Sequence, residues 1–178
     1  MKTRFLSIFV ALICVTVLPL RAQRRVDPLT PEEIDLLRDS AIEPEPRMKL
    51  YVQFARERLV KLEQMRNDPK TTDRPGQTHR MLEDFLAVYN ELNDNLDNFE
   101  GRKADLRKAM KVVVEADTEF QAKLRALKDD PRTSKQEAAE YQFVLSDTLE
   151  TVDNSTTDHR KLQTDEEEMW KHKKKSKS

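Results

Sequence analysis

Glycine occurs only twice in the 178 residues, cysteine once, and aromatic residues make up 6% of the chain. So little glycine argues against a β-sandwich or barrel, whose tight turns need glycine and whose strands draw on β-branched and aromatic residues. The lone Cys14 lies near the start, inside a segment read below as a cleaved leader. A mature chain then forms no disulfide and offers no thiolate to a metal. The chemistry-bearing motifs are missing too. His79, His159 and His172 form no His-Glu-x-x-His pair, and Gly76, Thr156 and Met169 stand three residues before them. Zinc-protease ligation and the Glu-x-x-His pairing of di-iron bundles are therefore absent. All three histidines read as helix-end or surface residues. No Gly-x-Ser-x-Gly elbow and no glycine-rich phosphate loop occurs. Asp94, Asp97 and Glu100 gather carboxylates, but a calcium loop counted from Asn93 would need glycine where Asn98 stands. They read as a solvated acidic face. No catalytic, metal or cofactor residue is assigned, and the expectation is a protein that is not an enzyme.

One long apolar run is present. Lys2 and Arg4 precede residues 5–18, Pro19 breaks the run, and Leu20-Arg21-Ala22 precedes Gln23. This is the layout of a secretory signal peptide, with cleavage predicted between Ala22 and Gln23. The run is shorter than the roughly 20 residues that a membrane-spanning helix needs. The expected location is periplasmic or extracellular. The mature chain would hold 156 residues, enough to bury a core without disulfides.

Charge is plentiful, with 37% of residues Asp, Glu, Lys or Arg. Residues 23–170 carry 24 Lys+Arg against 33 Asp+Glu, and five lysines crowd residues 171–178. An acidic body suits nucleic acid poorly, because that binding draws on phosphate neutralisation. The lysine-rich end is expected to be a disordered tail, with weak contact to an anionic envelope surface as its one functional reading.

Between these ends the spacing predicts helices. Thr30-Pro31-Glu32-Glu33 is a capping box with proline at the first helical position, opening a short helix over 31–40. Glu43-Pro44-Glu45-Pro46 reads as an extended connector, since proline disfavours helix in the residue before it. Met48, Tyr51, Val52, Ala55, Leu59 and Leu62 place one apolar stripe on a helix over 46–67, which Asp68-Pro69 stops. From 78 to 129 two heptad positions continue unbroken. One holds Phe85, Leu92, Phe99, Leu106, Val113, Phe120 and Leu127; the other holds Tyr89, Leu96, Lys103, Met110, Asp117 and Leu124. This unbroken register favours a single helix about 75 Å long. A stop at Gly101 would instead give two antiparallel helices. Lys103 and Asp117 interrupt the seam and are read as reaching water, the alternative being that they set register or partner choice. Ser134-Lys135-Gln136-Glu137 opens a last helix through Tyr141, Leu145, Leu149 and Val152, weakened at Asn154-Ser155-Thr156-Thr157. Residues 62–71 echo residues 124–133 at an offset of 62, which fits both duplicated hairpins and the ordinary use of Asp-Pro as a helix stop.

The fold class expected is all-α: helical hairpins around one long central helix, coiled-coil-like or four-helix-bundle-like, with residues 31–170 as one helical domain. The segments LTPEEIDLLRD and FARERL resemble those of uncharacterised exported helical proteins of bacteria. Leu29-Thr30-Pro31-Glu32-Glu33 is similar to the Leu-Thr-x-x-Gln motif of Spy-like periplasmic chaperones, with glutamate in place of the glutamine and one copy in place of two. The expected function is association with another protein or with itself, through an apolar flank that a continuous central helix would leave open. A chaperone-like holdase is the first alternative. An enzyme in which Asp94 and Asp97 converge is the second.

Overall fold

The computed structural model describes residues 27–175. The signal peptide and cleavage point expected within 1–22, the first four residues of the irregular N-terminus expected over 23–30, and residues 176–178 of the tail lie outside the described residues. Five helices follow in order: α1 Pro31–Asp39, α2 Pro44–Asn67, α3 Arg74–Gly101, α4 Arg107–Lys128 and α5 Lys135–Lys175. The all-α reading holds.

The capping box of α1 forms as its sequence predicts. Glu33 N–H donates to Thr30 Oγ1, and Thr30 N–H donates to Glu33 Oε2. The extended connector does not. Only Glu43 is extended, and both prolines lie within the first turn of α2. Backbone N–H groups there have no partner inside a helix, so proline's missing donor costs nothing. Asp73 caps α3 from a left-handed conformation (φ 50°) and accepts from Gly76 N–H. A Cβ on Gly76 would run into that carboxylate.

The long central helix is replaced by a turn. α3 ends at Gly101 and α4 begins at Arg107. Ala104 N–H bonds the Phe99 carbonyl and Lys103 N–H bonds that of Glu100, around a left-handed Lys103 (φ 55°). That is the Schellman arrangement, with lysine where glycine is usual. The heptad survives because both Phe99 and Leu106 enter the core, one on each side of the turn. Seven residues return the chain to the core around this loop as they would along two turns of helix.

Helix directions follow from paired residues. Arg47 meets Asn95 and Arg66 meets Thr78, so α2 and α3 are antiparallel. Asp117 meets His159 and Leu106 meets Glu166, so α4 and α5 are antiparallel too. Arg56 meets Glu119 and Lys123 meets Glu63, which makes α2 and α4 parallel neighbours; His79 to Glu140 and Asn93 to Ser155 do the same for α3 and α5. Thus α2 and α5 each pack on both α3 and α4, and α3 faces α4 diagonally through the core. Two hairpins lie side by side in the same sense. Sequence separations across the parallel pairs run from 60 to 63. The echoed segments therefore sit next to each other, as duplicated hairpins would place them.

The bundle closes the flank that a continuous helix would have exposed. Phe85, Tyr89 and Phe120 meet at its centre, Phe85 edge-on to Phe120 with centroids 5.3 Å apart. The exposed large apolar residues among those described are Leu36, Ile42, Val60, Phe143 and Met169. They are scattered over α1, the loop after it, α2 and α5.

α5 runs without the weakening expected at 154–157 and past the expected end of the helical domain at 170. Thr156 and Thr157 stay helical, each donating its hydroxyl to the carbonyl four residues back. Residues 171–175 of the expected disordered tail form the helix's last turn. Lysine is a good helix former, and cations at a helix C-terminus meet the negative end of its dipole.

Candidate functional site

The most unusual local chemistry lies in the apolar centre. Asp117 on α4 is fully buried and accepts two hydrogen bonds, from Tyr89 Oη–H of α3 at 2.8 Å and from His159 Nδ1–H of α5 at 2.9 Å. His159 is itself 6% exposed. Both corrections to the sequence reading are clear. Asp117 does not reach water, and His159 is not a surface residue. Lys103, in contrast, lies in the α3–α4 turn and is exposed.

Each side chain arrives there for a local reason. Asp117 occupies the same seam position as Met110 and Leu124, which points it inward. Tyr89 lies four residues from Phe85 on the α3 core face and stacks on it at 5.8 Å. His159 stands seven residues after Val152 and continues the α5 core stripe through Thr156. Burial raises the Tyr89 hydroxyl above its ordinary pKa, and the Asp117 charge beside it acts in the same direction. Tyr89 thus stays a donor. Donation by His159 Nδ1 to the carboxylate leaves Nε2 as the acceptor of a neutral ring, or as a second donor when the ring is protonated.

His159 also lines a cleft of about 390 Å³ between α3 and α5. Asp97, Glu100, Asp158 and Asp165 surround the cleft, with Lys161 as its cation. At its floor Asn93 Nδ2 donates to Ser155 Oγ, and Asn93 Oδ1 is buried without a partner. Asp97 and Glu100 therefore share a cleft that the sequence did not indicate. Asp94 is exposed and is not among the residues lining it. The two carboxylates of the enzyme alternative do not converge.

A second polar hub closes the opposite end of the bundle. Arg66 is 8% exposed, and its guanidinium donates to Thr78 and Thr133 and pairs with Glu137 and Asp130. Glu137 was expected to close the capping box of α5. Its backbone N–H does bond Ser134 Oγ, while its carboxylate turns to Arg66. Hydrogen bonds from Arg132 hold the Asp130 carboxyl well below its usual range, and Arg66 adds to this. Beside the hub, a groove of about 400 Å³ runs between the parallel ends of α2 and α4 over Leu59, Leu62, Leu124 and Leu127.

The remaining histidines lie elsewhere. His79 is half-exposed between the Glu140 carbonyl and Glu83, and His172 is exposed near the end of α5. Among the described residues, no three His, Cys, Asp or Glu side chains gather to hold a metal. No helix there is long and apolar enough to cross a membrane. The chain matches no family model, and no curated protein or solved structure is similar to it.

Proposed function

We propose that the protein is exported and works in the cell envelope as a helical binding protein, associating with another protein or with a second copy of itself. The observation that carries this reading is how the buried polar groups are used. Both oxygens of Asp117 are taken by Tyr89 and His159, and Arg66 is shared among four partners from the protein itself. Such groups fix which helix faces meet, a role that isolated buried polar residues have in helical assemblies. They make a rigid frame whose grooves are left for binding. Export rests on the leader-like start of the sequence.

The mode of binding differs from the one expected from sequence. A closed bundle replaces the open apolar flank, so association through that flank is withdrawn. A holdase would call for a contiguous exposed apolar face, whereas the exposed large apolar residues among those described are scattered.

Photo-crosslinkers at Ala126 in the α2–α4 groove and at Asp165 in the α3–α5 cleft test the reading in the producing cells, with exposed Glu150 as the control position. The expected result is a discrete adduct from one groove position, absent from the control. Light scattering on the purified protein then distinguishes a second copy from another protein. A protein that stays monomeric at all concentrations and gives no discrete adduct from either groove would remove the proposal. Protein recovered from the envelope should begin at Gln23, and an intact residue 1–22 would remove export by cleavage.

A further inference from the structure

α5 has 41 residues and outruns the helices around it. Its Glu166 carboxylate accepts from Leu106 N–H, level with the start of α4. The nine residues after it, 167–175, extend about 13 Å further along the axis. This overhang carries Lys171, Lys173, Lys174 and Lys175 in its last five residues and no carboxylate beyond Glu168. At its base stands Trp170, the only tryptophan of the chain. Its indole N–H donates to Glu166, and its ring faces Arg107 at 4.4 Å and Lys173 at 4.6 Å. Met169 beside it is 39% exposed.

We propose that the α5 overhang is a docking surface for an anionic lipid bilayer, which it meets end-on through its lysines with Trp170 and Met169 at headgroup level. Charge geometry explains how a net-acidic protein can do this. Described residues outside the overhang carry 22 Lys+Arg against 31 Asp+Glu. Those charges are spread along a bundle tens of ångströms long, while at physiological salt a charge is screened beyond about 8 Å. A planar surface touching the tip therefore meets the lysines and little of the acidic body. A long, flexible polyanion would not keep that separation, which favours a bilayer over nucleic acid. The half-buried indole with cations on either side is the chemistry that settles at a membrane interface. Glu167 and Glu168, one turn behind the lysines, oppose it, while Glu166 is held by the Trp170 indole and Asp105 by Arg107.

The test uses residues 23–178, the chain that remains after the proposed cleavage, so that variants differ only in the overhang. Vesicles of phosphatidylcholine alone are compared with vesicles containing an equal part of phosphatidylglycerol. Sedimentation measures binding, and Trp170 fluorescence reports contact. Binding is expected to require phosphatidylglycerol, to blue-shift Trp170, and to weaken at least tenfold between about 50 and 300 mM salt. Each lysine near the surface is worth about fivefold, so changing all four to Gln should weaken binding several hundredfold. E167Q with E168Q should strengthen it, a gain that loss of structure cannot mimic. Equal binding to both vesicle types would overturn the proposal. So would retention of binding without the four lysines, or binding that leaves Trp170 fluorescence unchanged.

Discussion

Replacing Asp117 with Ala tests the central polar network most directly. The change leaves two buried donors, Tyr89 Oη–H and His159 Nδ1–H, facing a small void. Each unsatisfied donor costs about 1–3 kcal/mol. His159 can relieve part of its share by turning toward the α3–α5 cleft. Tyr89 can relieve part of its own by turning its hydroxyl to Ser155, which is within reach, while Phe85 and Phe120 hold its ring. With both partly relieved, the sum is about 2–4 kcal/mol. In a chain of this size about 1 kcal/mol moves the melting temperature by about 2–4 °C, so a fall of about 4–16 °C is expected. Asp117→Asn should cost less, about 1–2 kcal/mol. Its oxygen still accepts from Tyr89, and a switch of tautomer lets His159 accept from its amide. Removing the network together, by Tyr89→Phe, Asp117→Leu and His159→Leu, should recover stability to within about 1 kcal/mol of the parent, since apolar replacement of a whole buried network is often neutral. Urea unfolding followed by circular dichroism supplies all four values. A loss below about 1 kcal/mol for Asp117→Ala would show that the carboxylate is not buried as described, and the reasoning would fail with it.

Four further sites probe other parts of the fold. Lys103→Gly should stabilise by about 1 kcal/mol, because Lys103 is left-handed and glycine adopts that conformation without strain; in a continuous helix the same change would destabilise by a similar amount. Gly101→Ala should stabilise by about 0.5–1 kcal/mol, its new Cβ meeting open space, and thermal melts decide both cases. Burial would raise the Glu33 pKa, but hydrogen bonds from Arg58 and Thr30 outweigh it and leave the folded value below the ordinary one. Its contribution is therefore present above the unfolded value and is lost as pH falls through the folded one. Amide protection factors in residues 30–40, corrected for the intrinsic pH dependence of exchange, should fall below about pH 4, and Glu33→Gln should lower them at neutral pH; protection that is flat across this range would refute this role of Glu33. Arg66→Ala should cost about 2–3 kcal/mol by leaving Glu137, Thr78 and Thr133 without its hydrogen bonds, while Asp130 keeps Arg132, with Arg66→Lys a poor rescue because an ammonium lacks the guanidinium's fork; chemical denaturation measures both.

What the sequence determined by itself is local. The capping box at Thr30 and Glu33, the Asp-Pro stops, and the apolar stripes of α2 and of the two seam positions depend on neighbours within a few residues, and the structure reproduces them. The all-α class follows from the same short-range periodicity. Tertiary structure decided the turn after Gly101, because a seven-residue step returns to the core both along a helix and around this loop. The energy of the closed core, not a local signal, selects between those paths, and lysine at the left-handed position hid the stop that glycine would have announced. It also decided the fate of the polar residues. Asp117 carried a visible signal, a charge in an apolar seam. Nothing within a few residues of it shows that Tyr89, 28 positions earlier, and His159, 42 positions later, would supply its donors. A buried carboxylate is tolerable only when such partners arrive from other helices, and their arrival is a property of the packed bundle.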